Sequence, residues 1–168
     1  DEIYMTQDLD FIFLSGGCFW GMEDLLSKLK GVVDTEVGYT GGYLDNPKYD
    51  DVKTGKTGHV ETVKVNYDKN LISLAEILHF YFKIHNPTTV NQQGNDIGSQ
   101  YRSVIFIKDS YQKKIAEQII IEVNNLNRFD QPIVTTIEPF EKFYSAENYH
   151  QDYLKKYPDG YTCHFIRK

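Results

Sequence analysis

Apolar residues along the chain fall into two rhythms, and the change from one to the other predicts a series of short strands and helices. Residues 11–14 (Phe11, Ile12, Phe13, Leu14) are an unbroken apolar run of strand length, closed by Ser15-Gly16-Gly17, a turn sequence of the kind that bounds a buried strand. Over 19–30, Met22, Leu25, Leu26 and Leu29 recur three and four apart, the spacing of one helix face. A second strand is expected at 32–37 and a third at 59–67. In the third, Val60, Thr62, Lys64 and Asn66 alternate with Glu61, Val63, Val65 and Tyr67, which sets Glu61 on the apolar side. Ser73 followed by Glu76 is a capping box. It opens a helix with Ile77, Leu78, Tyr81, Phe82 and Ile84 as its buried stripe, ended by Pro87. The pattern continues with a strand at 103–108, a helix at 110–127 marked by Ile115, Ile119 and Val123, and a strand at 132–137. A last short helix at 146–156 leads into a tail punctuated by Pro158 and Gly160.

Strand, helix, strand, strand, helix, strand is the order of a ferredoxin-like split βαβ sandwich. The expected class is therefore α+β, with a mixed sheet extended by an extra helix and strand and with a C-terminal tail. Two stretches, 38–58 and 86–100, receive no element and are rich in Gly, Asn and Asp. Loops of that length inside a compact domain usually carry function. There is no internal repeat, low-complexity tract or linker, so residues 1–168 read as a single domain.

Composition removes several function classes. With 168 residues, 40% of them hydrophobic, the chain has material for a core without covalent staples. A formal net charge of -6 leaves no broad cationic face for nucleic acid or an anionic membrane. No apolar run approaches a membrane span, and the first ten residues are acidic where a secretory signal would be basic and then apolar. Gly55-Lys56-Thr57 resembles the end of a phosphate-binding loop, but Asp50 stands where that motif requires glycine, so it is a turn. The five histidines show no metal-ligand spacing and neither cysteine has a CxxC partner. His59 and His150 read as hydrogen-bonded structural residues, and neither metal nor cofactor is expected. The two cysteines, Cys18 and Cys163, lie at opposite ends of the chain. So few argue for a reducing, cytoplasmic compartment, and a monomer is expected. By count alone they would be a buried thiol and an idle one, or one structural bridge.

Local context changes that reading of Cys18. In Gly16-Gly17-Cys18-Phe19-Trp20-Gly21-Met22-Glu23 the thiol sits between a strand and a helix, near unsatisfied backbone N–H groups and the positive end of the helix dipole, both of which favour thiolate. Phe19 and Trp20 beside it suit an apolar pocket, and from spacing alone suit core packing equally well.

The GCFWG segment resembles the signature of the peptide methionine sulfoxide reductase A family. Further segments are similar to that family in the same order: Gly38-Tyr39-Thr40-Gly41-Gly42, Asn46-Pro47-Lys48-Tyr49, Thr57-Gly58-His59-Val60-Glu61, Gly94-Asn95-Asp96-Ile97-Gly98-Ser99-Gln100-Tyr101-Arg102-Ser103, and Glu147-Asn148-Tyr149-His150-Gln151-Asp152-Tyr153. The resemblance implies Cys18 as nucleophile and Glu61 as acid, with Tyr49, Asp96 and Tyr101 around the sulfoxide oxygen. It implies Phe19 and Trp20 against the substrate methyl. The tail Gly160-Tyr161-Thr162-Cys163-His164-Phe165 is similar to that of members whose recycling cysteine is C-terminal, which implies a Cys18–Cys163 disulfide reduced by thioredoxin or another dithiol. The implied reaction is reduction of the S epimer of methionine sulfoxide, in peptides or proteins and as the free amino acid.

Chemistry explains the residue types. A sulfoxide sulfur is attacked only if its oxygen is stabilised as it gains charge. Lowering a thiol pKa from about 8.5 to about 6.5 raises the thiolate fraction at neutral pH about 25-fold but lowers intrinsic nucleophilicity about eightfold, a net gain of about threefold. A general acid on the oxygen is worth about a hundredfold to ten-thousandfold, so Glu61 is the larger lever. The competing readings are a thiol peroxidase or cysteine-based redox sensor, which needs neither an aromatic pocket nor a buried acid, and a cysteine hydrolase, which needs a histidine beside Cys18.

Overall fold

The apolar run that opens the chain becomes the centre of a sheet covered on both faces. The structure, a computed structural model, describes residues 6–168. Its elements are β1 (Leu9–Ser15), α1 (Phe19–Ser27), β2 (Val32–Thr40), α2 (Tyr49–Val52), β3 (Val60–Asp68), α3 (Leu74–Ile84), β4 (Gln92–Gln93), β5 (Asp96–Ile97), β6 (Val104–Ile107), α4 (Ser110–Asn125), β7 (Thr136–Pro139), β8 (Phe143–Ser145) and α5 (Tyr153–Lys156), with 3-10 turns at Ser99–Tyr101 and Asn148–His150. The main sheet runs β7-β6-β1-β3-β2-β8, and β4 and β5 form a two-residue hairpin apart from it. β1 and β2 are each antiparallel to β3 between them, hence parallel to one another. With β6 antiparallel on the far side of β1, this is the ferredoxin-like split βαβ frame. β7 extends one edge in parallel and β8 the other in antiparallel sense, so the sheet is mixed, as the expected α+β class requires.

The larger core joins Ile12, Leu14, Val63 and Val65 of the sheet to Met22 and Leu26 of α1, to the Ile77, Leu78, Tyr81 and Phe82 stripe of α3, and to Ile119 and Val123 of α4. On the opposite pleat Phe13, Val60, Val104 and Phe106 form a second cluster covered by Phe140 and Phe143, with the Phe13 and Phe140 rings stacked at 4.2 Å. Burial on both faces explains why β1 reads as a continuous apolar run. The capping box at Ser73 is present with both of its bonds to Glu76.

Three expectations shift. The strand expected at 132–137 starts only at Thr136, because the Val134 N–H bonds the Pro87 carbonyl and the Thr135 hydroxyl bonds Ser103, leaving sheet pairing from Val104↔Thr136 onward. The helix expected at 146–156 is broken at Asp152, whose φ is 52°. Its N–H is taken by the Glu23 carboxylate at 2.8 Å, and the Gln151 amide pairs with both backbone groups of Val37 at 2.9 Å. These tertiary bonds replace the helical ladder. Within 38–58, residues 38–40 continue β2 and Tyr49–Val52 form a helical turn, while 86–100 holds the β4–β5 hairpin.

Candidate active site

The turn between β1 and α1 is held in a conformation open to glycine. Gly17 has φ +89°, in the left-handed region, and its N–H bonds the Tyr101 carbonyl at 3.1 Å, tying this turn to the loop that carries Tyr101. Cys18 follows as the N-cap residue of α1, 9% exposed. Glu61, in the central strand β3, is 2% exposed and accepts the Phe19 N–H at 3.2 Å through Oε1, which leaves the other oxygen to carry a proton.

Burial rather than that bond sets the direction in which Glu61 shifts. Burial pushes the Glu61 carboxyl up to about 8, against the lowering effect of the Phe19 N–H, so at neutral pH it is a neutral acid able to donate. The Cys18 thiol is raised too, by burial first and then by the Glu61 carboxylate, with only the Trp20 N–H opposing. For Cys18, burial thus works against the thiolate that a helix start favours. The first amide of α1, that of Phe19, is given to Glu61, and the second, that of Trp20, is the one that opposes the rise.

The remaining polar groups converge from four loops. Tyr49 opens α2, and its N–H bonds Glu147 Oε2 at 2.9 Å while the Tyr39 hydroxyl bonds Oε1 at 2.9 Å. Burial, then the charges of Glu61 and Cys18, raise Tyr49 to about 12, and burial with Glu61 and Tyr49 raises Tyr101, so both phenols stay protonated donors. Asp96, in β5, accepts the Tyr161 hydroxyl at 3.1 Å, and its carboxyl is raised by burial. Cys163 lies 3.8 Å from the same Asp96 oxygen and 3.7 Å from the Gln93 carbonyl, and both cysteines are free thiols. Cys18, Glu61, Tyr49, Asp96, Tyr101 and Cys163 thus form one electrostatically linked group.

The aromatic pair divides its roles. Phe19 is 1% exposed, packed with Tyr39 at 5.8 Å and His150 at 5.2 Å, a floor beneath the site. Trp20 is half-buried, stacked on Tyr153 at 3.7 Å, and its indole N–H bonds His150 Nδ1 at 3.0 Å. Glu147, Tyr153 and Tyr161 support the site without having been assigned roles from sequence. Their contacts are long-range, and only their membership of family-like segments pointed to them. His59 is structural, accepting the Gly42 N–H on Nδ1 at 3.1 Å and meeting the Leu44 carbonyl through Nε2 at 2.7 Å. Among the described residues no three of His, Cys, Asp and Glu gather as a metal site, and no histidine bonds the Cys18 sulfur. Surface clefts of 480 Å³, by Tyr43 and Glu138, and 430 Å³, by Phe11 and Phe140, contain none of these residues. A shielded sulfur beside a neutral acid and two phenol donors suits attack on an atom that bears a polar oxygen.

Comparison with known proteins bears on this arrangement. The model of the family described as peptide methionine sulfoxide reductase matches residues 10–168. The peptide methionine sulfoxide reductase MsrA of Saccharolobus solfataricus is 46% identical over 153 residues, covering 91% of this chain and 85% of that protein. Reduced Mxr1 from Saccharomyces cerevisiae superposes with a TM-score of 0.90 at 38% identity, over 97% of this chain and 96% of that one. Mxr1 in complex with Trx2 is similar with a TM-score of 0.65 at 27% identity, over 98% and 96%.

Proposed function

Since this chain belongs to the peptide methionine sulfoxide reductase family, we propose that it reduces the S epimer of methionine sulfoxide, in peptides, in proteins and as the free amino acid, with Cys18 as nucleophile. The observation that carries this reading is the neutral Glu61 acid, held by the Phe19 N–H one residue from Cys18. The sulfoxide oxygen takes the proton of Glu61 and bonds from Tyr49 and Tyr101, which makes its sulfur electrophilic. Cys18 attacks that sulfur and an S–S bond forms; as this bond breaks again to release methionine, the oxygen passes from the substrate sulfur to Cys18, so that one S–O bond breaks and one forms. The oxygen keeps the proton given by Glu61, the thiol proton restores Glu61, and the products are methionine and a Cys18 sulfenic acid. Trp20 and the Phe19 floor face the methyl group, and Asp96 orders the polar side.

Cys163 then displaces the oxygen as water, and a dithiol reopens the disulfide. The solved complex of the related Mxr1 with Trx2 supports thioredoxin as that reductant. Two free thiols suit a reducing compartment, and no described helix is long and apolar enough to cross a membrane. We read residues 1–168 as one reductase domain, acting as a monomer in the cytoplasm. The test is a single turnover without reductant on each separated epimer of a sulfoxide peptide. The S epimer should yield about one methionine per enzyme, the R epimer none, and Cys18→Ser none from either. Equal yields from both epimers would overturn the reading.

A further inference from the structure

The tail that carries Cys163 is held by Tyr161 on Asp96 and by the Arg167 N–H on Lys83, and the His164 side chain ties it to the turn that precedes Cys18. The His164 ring is 7% exposed, and its Nε2 lies 2.6 Å from the Gly16 carbonyl oxygen. A carbonyl only accepts, so Nε2 carries the hydrogen and Nδ1 of the neutral ring is an acceptor, 3.8 Å from the Cys163 sulfur. Burial pushes the ring down to about 4, so this tautomer persists through the physiological range. The seat is shaped by absent side chains. A Cβ on Gly17 would collide with Gln93 and crowd the His164 ring, and one on Gly21 would run into Thr162 and His164. The two glycines flanking Cys18-Phe19-Trp20 therefore leave a slot for 162–164. Thr162 Oγ1 accepts the His164 N–H at 3.1 Å, and beyond it the Arg167 N–H bonds the Lys83 carbonyl at 2.8 Å.

We propose that His164 is a positioning residue for the resolving step: its Nε2–H bond to Gly16 latches the tail across the active-site turn and keeps Cys163 at the site. The proposal rests on the reading of Cys163 as the resolving thiol. In that step the Cys163 sulfur attacks the Cys18 sulfur, an S–S bond forms and the S–O bond of the sulfenic acid breaks. The oxygen leaves as water, made of its own hydrogen and the Cys163 proton, for which the Asp96 carboxylate, 3.8 Å from the sulfur, is the acceptor on the way. A latched tail presents the second thiol at high effective concentration. A loose one must find the site in every cycle.

The test compares two full-chain variants after one turnover with an S-epimer sulfoxide peptide. His164→Leu fills the slot but has no donor, whereas the amide N–H of His164→Gln reaches the same carbonyl. Methionine release should match wild type in both. Closure of the disulfide, read as loss of the second free thiol, should slow about tenfold or more in His164→Leu, because a buried carbonyl loses its partner, and its sulfenic acid should become trappable by dimedone. His164→Gln should recover most of the closure rate. Closure at the wild-type rate in His164→Leu overturns the latch. So does a His164→Gln variant as slow as His164→Leu, which would shift the role to Nδ1. Absence of the methionine burst in wild type, or normal thioredoxin turnover by Cys163→Ser, would instead refute the assignments of Cys18 or Cys163 on which the latch rests.

Discussion

Burial of Glu61 weakens the fold in order to make an acid, and its titration links the two effects. The carboxyl ordinarily titrates near 4.5 and is pushed up to about 8 in the folded chain. Between those values the native state binds more protons than the unfolded chain, so this group makes stability fall as pH rises from about 4.5 to about 8 and level off beyond. Glu61→Gln removes the titration. In urea unfolding it should be more stable than wild type by a few kcal/mol, on the order set by a shift of this size, at pH 8, with little difference at pH 4. Activity should move the other way. Single-turnover methionine release by wild type should fall as pH rises through about 8, because the acid is lost. In Glu61→Gln it should lie roughly a hundredfold or more lower and lose that fall. A variant rate within a few-fold of wild type would transfer the acid role to Tyr49 or Tyr101. The position of Glu61 on an apolar pleat was legible in the alternation of 59–67. The upward shift of Cys18 was not, because it comes first from burial and then from Glu61, a neighbour far along the chain that only the fold brings close.

Elements with a private periodicity were legible, and elements defined by their neighbours were not. The stripe and capping box of α3 and the apolar run of β1 carry their signal within a few residues. The break at Asp152 and the late start of β7 are imposed by Glu23, Val37 and Pro87, far along the chain. Gly21 shows how an element can be set by a distant segment. Inside α1 an alanine would ordinarily stabilise the helix by up to about 1 kcal/mol, yet at this position its Cβ would strike Thr162 and His164. Gly21→Ala should therefore leave the methionine burst near wild type while lowering thioredoxin-supported turnover by roughly tenfold, the scale of an overpacking penalty on the docked tail. Steady-state rates with thioredoxin, set beside the burst, check this. Equal loss in both would mean that α1 itself, not the seating of the tail, is disturbed.

At the scale of the whole molecule, a sheet ordered β7-β6-β1-β3-β2-β8 sets the turn after β1 beside the start of β3, and the loops after β2 and β5 close around it. The fold class followed from element order alone. The gathering of Tyr49, Asp96, Tyr101 and Cys163 about Cys18 could be carried over only from the family resemblance, since no local pattern joins residues so far apart. The last of these is the most exposed to test. Both cysteines are free, so Cys163 is not one end of a permanent bridge that masks the nucleophile. If it resolves the sulfenic acid, Cys163→Ser should still release about one equivalent of methionine, because the first half-reaction needs only Cys18 and its acid. Turnover with thioredoxin should stop, since no third cysteine exists to form a disulfide. Dithiothreitol, small enough to reach a stranded sulfenic acid directly, should keep part of the activity. A Cys163→Ser enzyme that cycles with thioredoxin at the wild-type rate would mean that the reductant acts on the Cys18 sulfenic acid itself, and the tail would then lose its place in the cycle.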